Sequence, residues 1–520
     1  MRWFIAALCL MATSVRAATP ALVTAAKNDD AKAVRVLLSQ HADVNAAEAD
    51  GSTALHWAAL RDNLEIADLL IAAGANVRIA TRYTITPLSI ACTNGAAALI
   101  EHLLNAGADP NGISEEGQTA LMTASRNGKV DAVKLLLTRG AKVNAKEGFR
   151  GQTALMWAAS EGNAAAAEML IEFGADVKAK SNSGFTALLF AVRNAHIEAA
   201  ETLLKHGANV NDVAPDGTSA LNMAVVNAYF ELASVLLNNG ADPNAPDPRG
   251  SALHTLAWLR RPGADGAAGV GNTPHGPPPP TGKTTAIELA KSLLEHGADP
   301  NRRIDWKEKR FDKEGGTTKN PPDIQLGRHL LSYVGATPFY LAAHNGDVAY
   351  MKLLVEHGAN PKIPTNAGIT PLMAATGLDY WEGEAPGPFT GVPESERLEA
   401  VKLALSLGND INAHADFGNY RMTGDPSYTL LYYPLNMDEL LDLGVGDPRW
   451  SGSTALIGAV VSGQPSIVQF LIDHGADPRA PTKLGWTPLT VSEGVFFANA
   501  KKEFPEAEKI LKKAVADQAR

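Results

Sequence analysis

The chain has very little cysteine, since only Cys9 and Cys92 occur among its 520 residues. Cys9 lies in an N-terminal stretch that we expect to be removed, so the mature chain would hold one thiol and no internal disulfide. No paired-Cys motif and no His-Glu-x-x-His motif is present, which argues against structural or catalytic zinc. We therefore expect no metal and no other cofactor, and Cys92, beside Ala91, is predicted to be a small core residue.

Runs of basic residues and nucleophile motifs are also missing. The net charge is −10 and the pI is near 5.7, so nucleic acid is not expected as a partner. There is no Gly-x-Ser-x-Gly motif, and the acidic residues are scattered rather than paired. The segment 280–284 is similar to the end of a phosphate loop. However, Pro277 stands where a glycine is required, and prolines lack the amide donors that would hold phosphate.

Long apolar runs are confined to the N-terminus. Arg2 precedes an apolar run of about ten residues that is followed by small residues, the layout of a secretory signal peptide. The run is shorter than the roughly 20 residues that span a bilayer. Val15 and Ala17 suit the third and the last position before a cleavage site. Cleavage is expected after Ala17 or Ala18, and residues 1–18 are the predicted signal peptide. We expect an exported chain, periplasmic or extracellular, with no membrane insertion after cleavage.

One unit of 33 or 34 residues recurs along the chain. Each copy begins with a threonine or serine phrase such as Thr-Ala-Leu, at Thr53, Thr86, Thr119, Thr153, Thr186 and Ser219. Each copy closes with a Gly-Ala phrase, as at Gly74. The hydroxyl is expected to cap a first helix, and the glycine is expected to end a second helix in the left-handed conformation. The Asp- and Asn-rich run that follows predicts a hairpin turn.

These phrases resemble the ankyrin repeat, with its Thr-Pro-Leu-His-x-Ala-Ala start and its Gly-Ala-Asp-Val-Asn end. The resemblance implies an all-α ankyrin-repeat solenoid of about twelve helix-turn-helix units with short β-hairpin fingers. Among the copies, only His56 and His254 keep the motif histidine, but the packing residues remain. The Gly- and Pro-rich interruptions resemble those of secreted bacterial-type ankyrin arrays. Histidines near the ends of second helices are predicted to be capping residues: His102, His206, His296, His357 and His474.

The repeat pattern predicts five segments. They are the signal peptide (1–18), regular repeats (19–249), an interrupted repeat (250–334), repeats with an insertion and one degenerate unit (335–451), and final repeats with a C-terminal capping helix (452–520). Insertions are expected at 262–284, 304–334 and 379–396, and the degenerate unit is expected at 418–451.

The resemblance also implies how the chain binds. Ankyrin proteins generally bind partners through the concave face of the first helices and through the fingers. On first-helix ends this predicts Arg61, Arg126, Glu161, Arg193 and His344 as partner-binding residues. Near the fingers it predicts Tyr83, Phe149, Arg150 and Phe185, and the aromatic insertion adds Trp381. The leading hypothesis is a non-catalytic scaffold that binds a protein of unknown identity.

Aromatic residues leave a second interpretation open. Residues 300–451 hold 15 of the 32 Phe, Trp and Tyr residues. They either fill local cores under long loops or wall a groove around residues 335–367. The alternative functions are therefore a hydrolase-like enzyme or a small-ligand or peptide binder, with its site in residues 300–451.

Overall fold

A computed structural model gives the fold. It describes residues 19–245, 250–260, 281–305, 334–378, 392–416, 422–423, 433–434, 451–497, 500–518 and 520. The predicted signal peptide, Trp381 and nearly all of the degenerate unit lie outside these ranges. The chain divides into two compact units, Met1–Asn209 and Val210–Arg520. No helix in the described ranges is long and apolar enough to cross a bilayer.

The first unit contains six helix pairs in its described part. The first helices are α1 (Ala21–Lys27), α3 (Ala54–Arg61), α5 (Pro87–Asn94), α7 (Ala120–Arg126), α9 (Ala154–Ser160) and α11 (Ala187–Arg193). The second helices are α2 (Ala31–Ser39), α4 (Leu64–Ala72), α6 (Ala97–Asn105), α8 (Val130–Thr138), α10 (Ala164–Glu172) and α12 (Ile197–Lys205). First helices pack on the first helices of the next pair, and second helices pack on second helices.

Capping groups set the helix boundaries as the sequence predicts. The hydroxyls of Thr86 and Thr119 accept hydrogen bonds from backbone N–H groups three residues on, at 3.1 and 3.2 Å. Gly74 has a φ of +88° at the end of α4, and the next N–H, of Ala75, donates to Leu70. Isolated antiparallel bridges join Ala47 to Thr53 and Ile113 to Thr119, so the predicted hairpin fingers are present.

Small residues let the helices of the first unit approach closely. One alanine of each first helix from α3 to α11 is fully buried, and so is one leucine of each second helix from α4 to α12: Ala58, Ala91, Ala124, Ala158 and Ala191, with Leu70, Leu103, Leu136, Leu170 and Leu203. Cys92 is also fully buried, and burial raises the pKa of its thiol. Its predicted role as a small core residue is confirmed.

The second unit contains twelve further helices in its described part. They are α13 (Ala220–Val226), α14 (Phe230–Asn238), α15 (Ala252–Leu259), α16 (Ala286–Glu295), α17 (Pro338–His344), α18 (Val348–Glu356), α19 (Pro371–Ala375), α20 (Glu394–Ser406), α21 (Ala455–Val461), α22 (Pro465–Asp473), α23 (Pro488–Ser492) and α24 (Pro505–Asp517). Antiparallel strands of two or three residues form two two-stranded sheets, β1 (Met422–Thr423) with β2 (Tyr433–Pro434), and β3 (Val495–Phe497) with β4 (Ala500–Lys502). The predicted all-α repeat fold is confirmed.

The packed repeat structure extends into the ends of the predicted insertions. Ile304 is buried, its N–H donates to Ala336 at 2.9 Å, and its carbonyl accepts from Gly335 at 2.8 Å. Helix α20 begins at Glu394, inside the range predicted as an insertion up to residue 396. The N–H of Lys283 donates to the carboxylate of Glu231 on α14 at 2.6 Å. These end residues carry the chain back into register with the repeat, so they belong to the packed structure.

The backbone pairing of Ile304 suggests a deletion experiment. We expect replacement of residues 306–333 by a Gly-Ser linker of about four residues to change the free energy of unfolding by less than about 2 kcal/mol, because loop-closure entropy varies slowly with length. Urea unfolding followed by circular dichroism measures this change. A deletion that also removes Ile304 should lose more, because it removes a buried side chain and two backbone hydrogen bonds. Loss of cooperative unfolding after replacement of residues 306–333 alone would contradict the prediction that they are an insertion in the repeat array.

The five histidines predicted as caps divide into two groups. His296, His357 and His474 each place Nδ1 within 2.9 Å of the carbonyl oxygen four residues earlier, which confirms capping. His102 and His206 instead contact carboxylates on the preceding second helix, Asp68 at 2.6 Å and Glu168 at 2.9 Å. The prediction is wrong for the ring contacts of these two, because the neighbouring repeat supplies a stronger acceptor than the helix end.

Candidate functional site

Two positions of each first helix lie on the same side, because they are three residues apart. They are the fourth and seventh residues after the capping threonine, and together they form what we call the inner face. In the first unit the fourth position holds Trp57, Ile90, Thr123, Trp157 and Phe190, and the seventh holds Leu60, Thr93, Arg126, Ser160 and Arg193. Most of these side chains are exposed or half-buried, whereas Phe190 is buried.

A groove of about 640 Å³ lies between the inner face and the adjacent fingers of the first unit. Three of its lining side chains are large, apolar and exposed: Leu60 (51%), Ile85 (42%) and Ile113 (65%). Arg126 and Trp157 also line this groove. Contiguous apolar surface of this kind is unfavourable in water and is typical of a binding surface.

A buried histidine holds one wall of the groove in place. Nδ1 of His56 lies 2.9 Å from the hydroxyl of Thr53, and Nε2 lies 3.0 Å from the carbonyl oxygen of Ile85 on the next finger. Burial lowers the pKa of the His56 imidazole, which keeps the ring neutral at physiological pH. The motif histidine therefore links the start of α3 to the next finger at Ile85.

Cations on the inner face stack on aromatic rings. The guanidinium of Arg126 lies 5.3 Å from the centre of the Trp157 ring. The guanidinium of Arg193 lies 5.4 Å from the Phe185 ring and 5.1 Å from the Phe190 ring, and the two rings are themselves 5.5 Å apart. Stacking restricts the long arginine side chains before any partner arrives, which lowers the entropy cost of binding.

The finger that carries Phe149 and Arg150 is built around a buried carboxylate. Glu147 accepts hydrogen bonds from the N–H groups of Phe149 and Arg150, each at 2.6 Å, and of Gln152 at 3.1 Å. Phe149 itself is 79% exposed. Tyr83, on an earlier finger, is 69% exposed, and the following residue, Thr84, has a φ of +56°. Both aromatic rings thus extend into solvent from fixed turns.

The structure separates the ten predicted partner-binding residues. Among these ten residues, Phe185 is half-buried, and seven others in the first unit are exposed: Arg61, Tyr83, Arg126, Phe149, Arg150, Glu161 and Arg193. Arg61 and Glu161 lie one position beyond the inner face, at the eighth residue after their threonines.

His344 is 3% exposed, so its expected place on an accessible surface is wrong. Its ring lies 3.0 Å from the side chain of Asn345, and its backbone carbonyl accepts from the buried Arg397. Trp381 lies outside the described residues.

Sequence reasoning missed several residues that line the groove. Leu60, Ile85, Ile113 and Trp157 were not predicted, because in the sequence they resemble ordinary packing residues. A signal was available for Trp157 alone, because it is the fourth residue after a capping threonine. This position lies on the inner face, yet it holds a large apolar or aromatic side chain in most repeats of the first unit.

The described aromatics of residues 300–451 favour a local core. Phe339, Tyr340 and Tyr350 are all 0% exposed. The hydroxyl of Tyr350 donates to the carbonyl of Leu253 at 2.8 Å. These three rings therefore do not wall the groove that was expected around residues 335–367. In the described ranges, no group of three His, Cys, Asp or Glu side chains is arranged to hold a metal ion.

Comparisons with known proteins agree with this geometry. A family model described as ankyrin repeats in three copies matches residues 10–81, 74–147, 146–214 and 178–247, and a single ankyrin-repeat model matches residues 334–366 and 451–483. An ankyrin repeat protein of Rickettsia bellii is 28% identical over 142 residues, which are 26% of this chain and 48% of that protein. This chain thus aligns with about half of that relative's length.

Among solved structures, the human ASB11 ankyrin repeat domain is 27% identical. The alignment covers 43% of this chain and 98% of that domain, with a TM-score of 0.39. The matches to the family models together cover more than half of the chain and agree with the helix pairs, the threonine caps and the fingers. The chain belongs to the ankyrin-repeat family.

Proposed function

We propose that the chain is a non-catalytic scaffold that binds a protein partner through the groove and the neighbouring fingers of the first unit. Ankyrin repeats are generally scaffolds for protein–protein interaction. The observation that carries the proposal is the convergence of Leu60, Ile85 and Ile113, all exposed, on one groove. Burial against a partner would remove the apolar surface of these side chains from water. This favours binding by roughly 25 cal/mol for each Å² buried.

The surroundings of the groove suit a protein interface. Aromatic and arginine side chains carry much of the binding energy in such interfaces. Trp157 and Arg126 are stacked at the groove, and Phe149 and Tyr83 stand exposed on the fingers. A partner segment that fills the groove would thus meet apolar side chains together with the stacked Trp157 and Arg126.

One substitution tests this proposal directly. Ile113→Asp places a charge in the apolar groove, and we expect at least a tenfold loss of affinity for the partner, because the carboxylate must lose its hydration. The measurement is quantitative recovery from envelope extracts with the full chain as bait, followed by titration of the recovered protein. Val36→Asp is the matched control, since Val36 is 53% exposed on α2 and does not line the groove. Equal losses in the two variants would refute the assignment to this groove.

We also propose that this binding takes place outside the cytoplasm, in keeping with the predicted signal peptide. Support comes from the charge and apolar pattern of residues 1–18. N-terminal sequencing of the chain from fractionated cells should find a mature start after Ala17 or Ala18. A cytoplasmic chain that still begins at Met1 would exclude export.

A further inference from the structure

The first unit contains two pairs of a cation and an indole at matching places in the repeat. The ammonium of Lys27 lies 4.2 Å from the centre of the Trp57 ring, and the guanidinium of Arg126 lies 5.3 Å from that of Trp157. Both tryptophans lie on the inner face, each as the fourth residue after its capping threonine. Each cation is the last residue of the preceding first helix, α1 or α7. The two pairs therefore form the same local arrangement three repeats apart.

The first pair is completed by a carboxylate of the chain itself. Oε2 of Glu48 accepts a hydrogen bond from Nε1 of Trp57 at 2.8 Å. Oε1 of the same residue lies 3.7 Å from Nζ of Lys27. Glu48 thus satisfies the indole N–H and neutralises the cation that stacks on the ring.

The second pair lacks this carboxylate, because its counterpart is engaged elsewhere. Glu147 corresponds to Glu48, since each donates its N–H to the carbonyl of the residue just before the capping threonine, Gln152 or Ser52. The finger after Glu147 is one residue longer, and the Glu147 carboxylate turns to three backbone N–H groups of that finger.

Two donors are left without an acceptor as a result. Within the described ranges, Nε1 of Trp157 has no hydrogen-bond acceptor. No described carboxylate lies within 4.0 Å of the Arg126 guanidinium, which is exposed at the groove. A guanidinium held by stacking and open to solvent is well suited to a carboxylate from outside.

We propose that the partner supplies the missing carboxylate: the protein segment that binds in the groove carries an aspartate or glutamate that pairs with Arg126. This inference rests on the proposed function and names the chemistry of the partner. The charged groups of the groove agree with it. Two arginines, Arg78 and Arg126, line the groove with one carboxylate, that of Asp109. Arg78 donates to the carbonyl of Gly107 at 2.6 Å, and Asp109 accepts from the N–H of Asn111 at 2.9 Å. An acidic side chain therefore meets a local excess of positive charge.

A peptide selection tests the inference while the partner itself is still unidentified. Random twelve-residue peptides displayed on phage are selected on the full chain, and individual binders are titrated against variants. We expect binders to be enriched in Asp and Glu, and Arg126→Gln to lower their affinity about tenfold. Replacement of the acidic residue by its amide should have the same effect, and the two losses should not add. Lys134→Gln is the matched control, because Lys134 is exposed on α8 of the same repeat and does not line the groove.

The outcomes separate this inference from the function on which it rests. Peptides that lose affinity with Ile113→Asp but not with Arg126→Gln, and that show no acidic enrichment, would overturn the inference and leave the groove as a binding site. Selection that yields no binder dependent on Ile113, with a folded chain, would contradict the proposed function itself. A loss of affinity with Lys134→Gln equal to that with Arg126→Gln would show general charge attraction and also overturn the inference.

Discussion

Asp347→Ala is expected to lower the free energy of unfolding of the second unit by about 3 kcal/mol, since breaking a largely buried ion pair strands its partner's charge. Oδ2 of Asp347 accepts from Nε of Arg260 at 2.6 Å, and Oδ1 accepts from Nη2 at 3.0 Å. Oδ1 also accepts from the N–H of Tyr350 and so caps α18. The pair joins α15 to α18 across 87 residues of sequence. Urea unfolding followed by circular dichroism would measure the loss.

A second substitution shows whether the stranded charge is the cause. Arg260→Met in the Asp347→Ala background should recover part of the loss, because the unpaired guanidinium is then absent. Arg35→Ala is the control, since Arg35 pairs with Glu65 on an exposed surface and should cost less than about 1 kcal/mol. A change in Asp347→Ala as small as that in Arg35→Ala would disprove a structural role for the pair.

Acid is expected to destabilise the second unit through His254. Its imidazole is fully buried, with Nδ1 at 2.8 Å from the hydroxyl of Ser251 and Nε2 at 3.2 Å from the carbonyl of Ala336. Burial, with a smaller contribution from the charge of Arg302, lowers the pKa of His254 from 6.5 to about 4. Below pH 6.5 the unfolded chain binds a proton that the folded chain excludes. The contribution of His254 to the free energy of unfolding should therefore be fully present above pH 6.5. It should decrease by about 3 kcal/mol as the pH falls from 6.5 to 4.

His254→Asn isolates this contribution. Asparagine occupies the same motif position in the preceding repeat, as Asn222, which is also buried. The variant should lose some stability at pH 7 but show a shallower decline between pH 6.5 and 4 than the unaltered chain. Urea unfolding at a series of pH values gives both curves. Parallel curves for the two proteins would mean that other groups cause the acid sensitivity. His56 is retained in both proteins, so its own lowered pKa contributes equally to each.

Much of the fold follows from the sequence because its determinants are local and repeated. The hydroxyls of Thr86 and Thr119 cap helices only three residues away, and Gly74 ends α4 where the pattern predicts. The same local preferences recur about every 33 residues. Each repeat therefore packs on a neighbour of the same structure, which stabilises both. The ends of the insertions were less predictable, since the backbone of Ile304 pairs with Gly335 and Ala336, about 30 residues away in sequence.

The candidate site was only partly predictable, and the ends of the first helices show one reason. Arg126 and His344 both lie at the end of a first helix, and the repeat pattern predicts both equally as surface residues. Arg126 remains exposed over Trp157, whereas His344 lies under Arg397, which bonds to its carbonyl. Exposure therefore depended on what the next repeat supplied, Trp157 on α9 or Arg397 on α20, and a polar side chain alone did not indicate it.

The sequence by itself determined the repeat unit, the caps, the fingers and the family, because these depend on contacts within one unit. Only the tertiary structure decided which side chains of the inner face are exposed. Glu48 and Glu147 stand at equivalent places, yet one completes a cation–indole pair and the other holds the backbone of its own finger. That difference arises from one extra residue in the finger after Glu147, whose backbone N–H groups bind its carboxylate. The conformation of that finger thus leaves Arg126 at the groove with no described carboxylate within 4.0 Å.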